Sequence, residues 1–211
     1  MTFSGMRNRD RTMKSVRLKL AILVLVCLVA PTWAGDVPTA VRNCGWCHGM
    51  LGQGIGVAPR LAGQRREYTL RQLVDLGEHL RDNPQSRQYM WGPAGNLDPL
   101  LARDLANYLA ALPFEPAADG RPRLAEIGRV IYLEGIPDAN IVSCAACHGP
   151  NAEGVGDIPR LGGLGYGYLR RRLEQWGEGY HVAAKPPMPR IAGKLSPNDI
   201  EALASYLSFV K

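Results

Sequence analysis

Two pentapeptides constrain this chain more than anything else in it: Cys44-Gly45-Trp46-Cys47-His48 and Cys144-Ala145-Ala146-Cys147-His148. The 211 residues include five cysteines, and the two motifs take all but Cys27. C-x-x-C-H is the attachment signature of c-type haem. Two thiols separated by two residues on a helical turn reach the two vinyl groups of one porphyrin as thioethers, and the next residue, His48 or His148, presents an imidazole to the iron. Cys44, Cys47, Cys144 and Cys147 are therefore expected to carry two covalently bound haem c groups. A structural zinc site would bring its C-x-x-C pairs within some 15–20 residues of each other, which these are not. A thioredoxin-like redox site would need a βαβ pattern that the sequence does not show.

The motifs mark an internal duplication. At an offset of 100, Ala58-Pro59-Arg60-Leu61-Ala62-Gly63 lies under Ile158-Pro159-Arg160-Leu161-Gly162-Gly163. Tyr68, Leu73 and Gly77 likewise lie under Tyr168, Leu173 and Gly177. After a two-residue contraction the offset becomes 98, and Leu105-Ala106-Asn107-Tyr108-Leu109 lies under Leu203-Ala204-Ser205-Tyr206-Leu207.

That register selects the sixth ligand of each iron. Low-spin haem takes Met or His there, and the candidates are Met50, Met90, Met188, His79 and His181. Met90 and Met188 differ by the repeat offset of 98, whereas His79 and His181 differ by 102 and break it. Met50, two residues beyond His48, is on the wrong face. The expected axial pairs are His48 with Met90 and His148 with Met188, the latter in a stiff extended Pro186-Pro187-Met188-Pro189 loop. Ligation by His79 or His181 in place of a Met stays open, and would lower the potential.

No alternation of apolar and polar residues suggests strands, so the expected fold is all-α. Asp98-Pro99 and Ser196-Pro197 place a capping side chain before a first-turn proline, and Asp199 completes a capping box. Each begins a terminal helix with Leu101, Leu105, Leu109 or Ile200, Leu203, Leu207 on one face. Further helices are expected near 66–76, 166–176 and 124–134, the last with Gly128 at a close crossing. Only nine residues lead from Gly35 to Cys44, so the first domain is expected to lack an opening helix and to be the less stable half. The boundaries read 35–115 for the N-terminal domain, 116–122 for a Pro/Gly-rich linker and 123–211 for the C-terminal domain.

Residues 1–34 read as a cleaved signal peptide. Six basic residues and one acid precede an apolar run at 20–30 and a Thr32-Trp33-Ala34 cleavage site. Eleven residues span about 16 Å as a helix against a hydrocarbon core of ~30 Å, too short for a permanent anchor. Val26 before Cys27 does not match a lipoprotein signal. The leader holds +5 of the formal +6 charge, and the remainder is nearly neutral. A broad basic face for nucleic acid is thereby disfavoured.

Taken together, the tandem C-x-x-C-H motifs, the Pro-Arg-Leu-x-Gly repeats, the late Met and the final Ala-x-Tyr-Leu helix resemble the dihaem cytochrome c4 family, two class I cytochrome c domains in tandem. The resemblance covers about 43 to 210. It implies that Pro59 and Pro159 offer their carbonyls to His48 and His148. It implies a periplasmic electron carrier whose haems face each other across the domain interface, between quinol-oxidising complexes and terminal oxidases or reductases. Arg60 and Arg160 are candidate partners of haem propionates.

Electron transfer without bond chemistry is the first reading, since two Met ligands leave no coordination position for a substrate. The alternative is a dihaem subunit of a periplasmic dehydrogenase, such as a flavocytochrome c sulfide dehydrogenase, with catalysis on another chain. Independent dihaem catalysis of the peroxidase or thiosulfate dehydrogenase type would need an open iron or an unusual ligand. Partners are thus redox proteins, not nucleic acid, and peripheral membrane association is compatible with this reading.

Overall fold

A computed structural model of the chain describes residues 37–180 and 187–211. The signal segment, Cys27, His181 and Pro186 lie outside the described residues. The first repeat contributes α1 (Val37–His48), α2 (Arg66–Gly77), a π-helical turn (Ser86–Met90), α3 (Trp91–Gly95) and α4 (Pro99–Ala111). The second contributes α5 (Pro122–Glu134), a 3-10 turn (Pro137–Ala139), α6 (Ala145–His148), α7 (Tyr166–Gly177), α8 (Met188–Ala192) and α9 (Pro197–Phe209). Among the described residues there is no strand, only isolated bridges such as Ile55 with Ala58 and, in the equivalent place, Val155 with Ile158. The fold is all-α, as the sequence predicts.

Both terminal helices start where the capping residues stand. The Asp98 carboxylate accepts from the Leu100 and Leu101 amides at 2.9 and 3.1 Å. Ser196 and Asp199 close a full capping box. These contacts occupy amides that a helix N-terminus otherwise leaves without partners. Each terminal helix then packs its apolar stripe inward, with Leu105 and Leu109 buried in α4 and Ile200, Leu203 and Leu207 in α9.

In the second domain α5 crosses α9 at Gly128. A Cβ built there would lie 2.0 Å from the Ala202 carbonyl oxygen and 2.8 Å from the Tyr206 Cβ. Only glycine admits that approach. Around the crossing Ile131, Tyr132, Ala152, Leu164, Leu169, Leu203 and Leu207 form one buried cluster.

The first domain departs from the expectation that it lacks an opening helix. Residues 37–43 are helical and run without a break into the motif, so α1 ends at His48 itself. It packs on α4 as α5 packs on α9. In the second domain a separate loop parts α5 from the motif helix α6, whereas in the first the two roles are fused.

The segment at 116–122 is bonded into the second domain through residues 117–121. The Ala117 and Ala118 amides donate to the Gly163 and Ser208 carbonyls at 3.1 and 2.9 Å. The Gly120 and Arg121 amides donate to the Ser208 and Ser205 hydroxyls, and Asp119 accepts from the Tyr166 amide. The two repeats pack as one compact unit.

Candidate haem sites

The loop after each C-x-x-C-H motif is built twice, bond for bond. The Gly54 amide donates to the His48 carbonyl at 2.7 Å, and Gly154 to His148 at 2.8 Å. Leu61 and Ala62 both donate to Gly52, as Leu161 and Gly162 do to Ala152. Gly54 and Gly154 adopt φ of 86° and 68°, where a Cβ would sit within 2.7 Å of backbone atoms. The loop is closed against the terminal helix by Gly63 donating to Leu109 and Gly163 to Leu207.

This loop delivers a carbonyl to each histidine. His48 Nδ1 is 2.7 Å from the Pro59 oxygen and His148 Nδ1 is 3.0 Å from the Pro159 oxygen. A carbonyl only accepts, so Nδ1 carries the proton and Nε2 keeps its lone pair free for a metal. Both rings are buried, and burial is the main cause that pushes their pKa values down, against the pull of the proline carbonyls. The neutral imidazole that an iron requires is thus the form the fold selects. Cys44 and Cys144 are half-buried, which raises both thiols, Cys144 to about 11, while Cys47 and Cys147 are exposed.

Met90 and Met188 stand at equivalent places. Met90 ends the π-helical turn and directly precedes α3; Met188 is the first residue of α8. Both short helices pack on the central helix of their repeat, α2 or α7, with Ala94 and Ala192 buried at matching positions. The extended loop expected around Met188 is instead a helix start, because Pro187 is in the helical region at φ −104°, ψ −9°. Proline at the first turn favours that start. His79 is exposed, with its ring stacked on Trp91 at 3.9 Å and 16°. His181 lies outside the described residues.

Arg60 and Arg160 meet at the junction of the repeats. The Phe114 ring meets both, 5.2 Å from the Arg60 guanidinium and 4.5 Å from that of Arg160. Arg60 Nη2 donates to the Glu115 carbonyl at 2.5 Å, and Arg160 Nε to the Gly63 carbonyl at 3.1 Å. Buried Gln64 completes the junction, donating to the Arg160 carbonyl at 3.0 Å and accepting from its amide at 2.8 Å.

Among the described residues, the buried side-chain nitrogens and oxygens that lack a partner are all guanidinium nitrogens: Arg60 Nε and Nη1, Arg65 Nε, Arg81 Nε and Arg172 Nη1. Buried donors of this kind require acceptors. Haem propionates are carboxylates of the right chemistry, so the residues present fit two haem groups. Burial, with Arg81 adding repulsion, pushes Arg172 down to about 10, and an anion beside it would reverse that.

The repeat is not a perfect copy. Arg71 pairs with Asp157 across the junction at 2.5 Å. Its repeat counterpart would join Arg171 to position 57, but that residue is Val57, and Arg171 turns to Glu178 at 2.6 Å. Trp46 is 82% exposed where the second motif has Ala146. Gln64, Phe114 and the His79–Trp91 stack leave no mark in the sequence, because each acts between segments that no spacing rule connects.

Two repeats, each wrapping a C-x-x-C-H helix with a proline-carbonyl loop, a late Met and a capped terminal helix, define a tandem class I c-type cytochrome. The cytochrome c family model matches residues 38–113 and 125–211. Cytochrome c4 of Stutzerimonas stutzeri is 32% identical over 207 residues, covering 94% of this chain and 98% of that protein. The thiosulfate dehydrogenase electron acceptor of Stutzerimonas stutzeri strain A1501 is 33% identical over 215 residues, with 94% and 97% covered. The cytochrome c4 structure from Acidithiobacillus ferrooxidans superposes with a TM-score of 0.74 at 32% identity, covering 80% of this chain and 99% of that one. The chain belongs to the dihaem cytochrome c4 family; it carries two covalent haem c groups and is an electron carrier, not a catalytic enzyme.

Proposed function

We propose that this chain is a periplasmic carrier that passes electrons from a quinol-oxidising complex to a terminal oxidase or reductase, with His48 and Met90 closing one iron and His148 and Met188 the other. Each haem supplies reversible one-electron chemistry. The observation that carries the reading is the duplicated His–Pro carbonyl bond, which holds both imidazoles in one tautomer and one orientation. Cys44, Cys47, Cys144 and Cys147 hold the two rings covalently. The unpartnered nitrogens of Arg60 suit propionates, while Arg160 acts from the same junction. With no coordination position left for substrate, the protein's part is binding, orientation and tuning of potential.

Export by residues 1–34 and cleavage after Ala34 would place the protein in the periplasm. Among the described residues no helix is long and apolar enough to cross a membrane. A second reading, acceptor for a periplasmic dehydrogenase, is favoured by the likeness to the thiosulfate dehydrogenase electron acceptor.

The test is a visible and far-red spectrum of the oxidised and reduced protein with haem counted per chain. Two haems, each showing the Met-to-ferric-iron charge-transfer band, are expected. A band of half or zero intensity would overturn the His/Met assignment for at least one domain. N-terminal sequencing of the exported protein should start at Gly35, and reduction by a periplasmic dehydrogenase faster than by a quinol-oxidising complex would favour the second reading.

A further inference from the structure

We propose that His79 is a positioning residue for the Met90 ligand, acting through the ring of Trp91; this rests on the reading of Met90 as an axial ligand. The starting observation is backbone conformation. His79 sits at φ 61°, in the left-handed region, while its repeat counterpart is Gly179 at φ 85°. A side chain there is strained, and the second repeat avoids the strain with glycine. The histidine is kept in the first repeat together with something to stack on.

That partner is equally specific to the first repeat. Trp91 lies under Pro189 at the offset of 98, and Tyr89 lies under Pro187. Met188 is therefore flanked by two prolines, whose rings restrict the backbone on either side of the ligand. Met90 has neither proline. It ends a single π-helical turn that runs directly into α3, a rare geometry frequent at functional sites.

The ring that follows Met90 supplies the support. Trp91 is stacked by His79 at 3.9 Å and 16°. Its indole N–H donates to the Arg81 carbonyl at 2.9 Å, and the Arg87 guanidinium lies 5.6 Å from its centroid. Anchored on these sides, Trp91 fixes the backbone through which Met90 is presented. The first repeat thus obtains by stacking what the second obtains from proline.

The experiment uses the dihaem holoprotein, with imidazole as a probe of how readily each iron loses its Met. His79→Gly removes the stack and adopts the local φ without strain, so it is not expected to disturb the turn. Oxidised protein is titrated with imidazole and the Met-to-iron band is followed. Imidazole should bind one haem roughly threefold to tenfold more tightly than in the parent, with the other haem unchanged. His79→Phe, which keeps an aromatic face, should restore the parent affinity. A His79→Gly titration that superimposes on the parent overturns the proposal. Met90→Ala separates the two readings. Loss of half the band there, with His79→Gly silent, leaves Met90 as ligand and removes His79 from its support. A full band in Met90→Ala overturns both.

Discussion

Replacing Gly128 by alanine should destabilise the second domain, against the usual sign of that change in a helix. Inside an ordinary helix Gly→Ala gains about 1 kcal/mol from propensity. Here the new methyl would lie 2.0 Å from the Ala202 oxygen, 2.5 Å from its carbonyl carbon and 2.8 Å from the Tyr206 Cβ. Favourable carbon contacts need about 3.5–4.0 Å. The obstructing atoms belong mainly to helix backbone, so α5 must retreat by more than 1 Å, roughly the shortfall in that distance. The retreat opens the seam holding Ile131, Tyr132, Leu203 and Leu207. Overpacking of a core costs about 1–3 kcal/mol, occasionally more. With a backbone contact this short the cost falls at the upper end, and subtracting the propensity gain leaves about 2 kcal/mol of destabilisation. Urea unfolding of the holoprotein, followed by far-ultraviolet circular dichroism, should show the second domain's midpoint lowered by about 1 M for an m-value of ~2 kcal/mol/M. Gly167→Ala in α7 is the control. Nothing lies within 4 Å of its Cβ, and it should stabilise by about 0.5–1 kcal/mol. A Gly128→Ala midpoint at or above the parent's would refute the steric reasoning.

Gln64→Leu should cost about 1–3 kcal/mol by leaving the amide and carbonyl of Arg160 without partners, and urea unfolding should show the two domains melting more independently. Ser196→Ala removes the cap of α9 and should lower stability by about 1 kcal/mol in the same assay. Asp157→Asn should change stability by under about 0.5 kcal/mol, since its pair with Arg71 is largely exposed; a larger loss would show that the pair carries the junction. Tyr132 donates to the Gly149 carbonyl at 2.6 Å, and burial holds its hydroxyl well above the ordinary value of 10. Its contribution is complete below pH 10 and fades as pH rises toward the folded-state value, because the unfolded chain loses the proton first. Tyr132→Phe should therefore be less stable at pH 7 by about 1 kcal/mol and lose less between pH 9 and 11.

What the sequence made legible were features with local causes. Asp98-Pro99 and Ser196-Pro197 announce helices because capping acts within one turn, and Gly128 announces a close crossing because a helical glycine otherwise only costs stability. The equal spacing of Met90 and Met188 needed only the duplication. The opening helix of the first domain is not legible, because nine residues from Gly35 to Cys44 look too few for a helix, when the motif itself continues it. The prolines around Met188 suggest an extended loop, although proline at a first turn starts a helix as readily. The repeat makes Arg60 and Arg160 equivalent and so candidate partners of propionates. Their shared contact with Phe114 depends on how the two repeats meet, which no local rule reports.

The bonded segment at 117–121 makes the connection between the repeats a strut rather than a tether. With Ala117, Ala118, Gly120 and Arg121 fastened to α9 or to the loop beside it, and Phe114 within reach of both junction guanidiniums, the two domains need no reorientation before an electron crosses between them. Exchange across the junction should then proceed at a rate indifferent to solvent viscosity, so that glycerol slows only the encounter with outside partners.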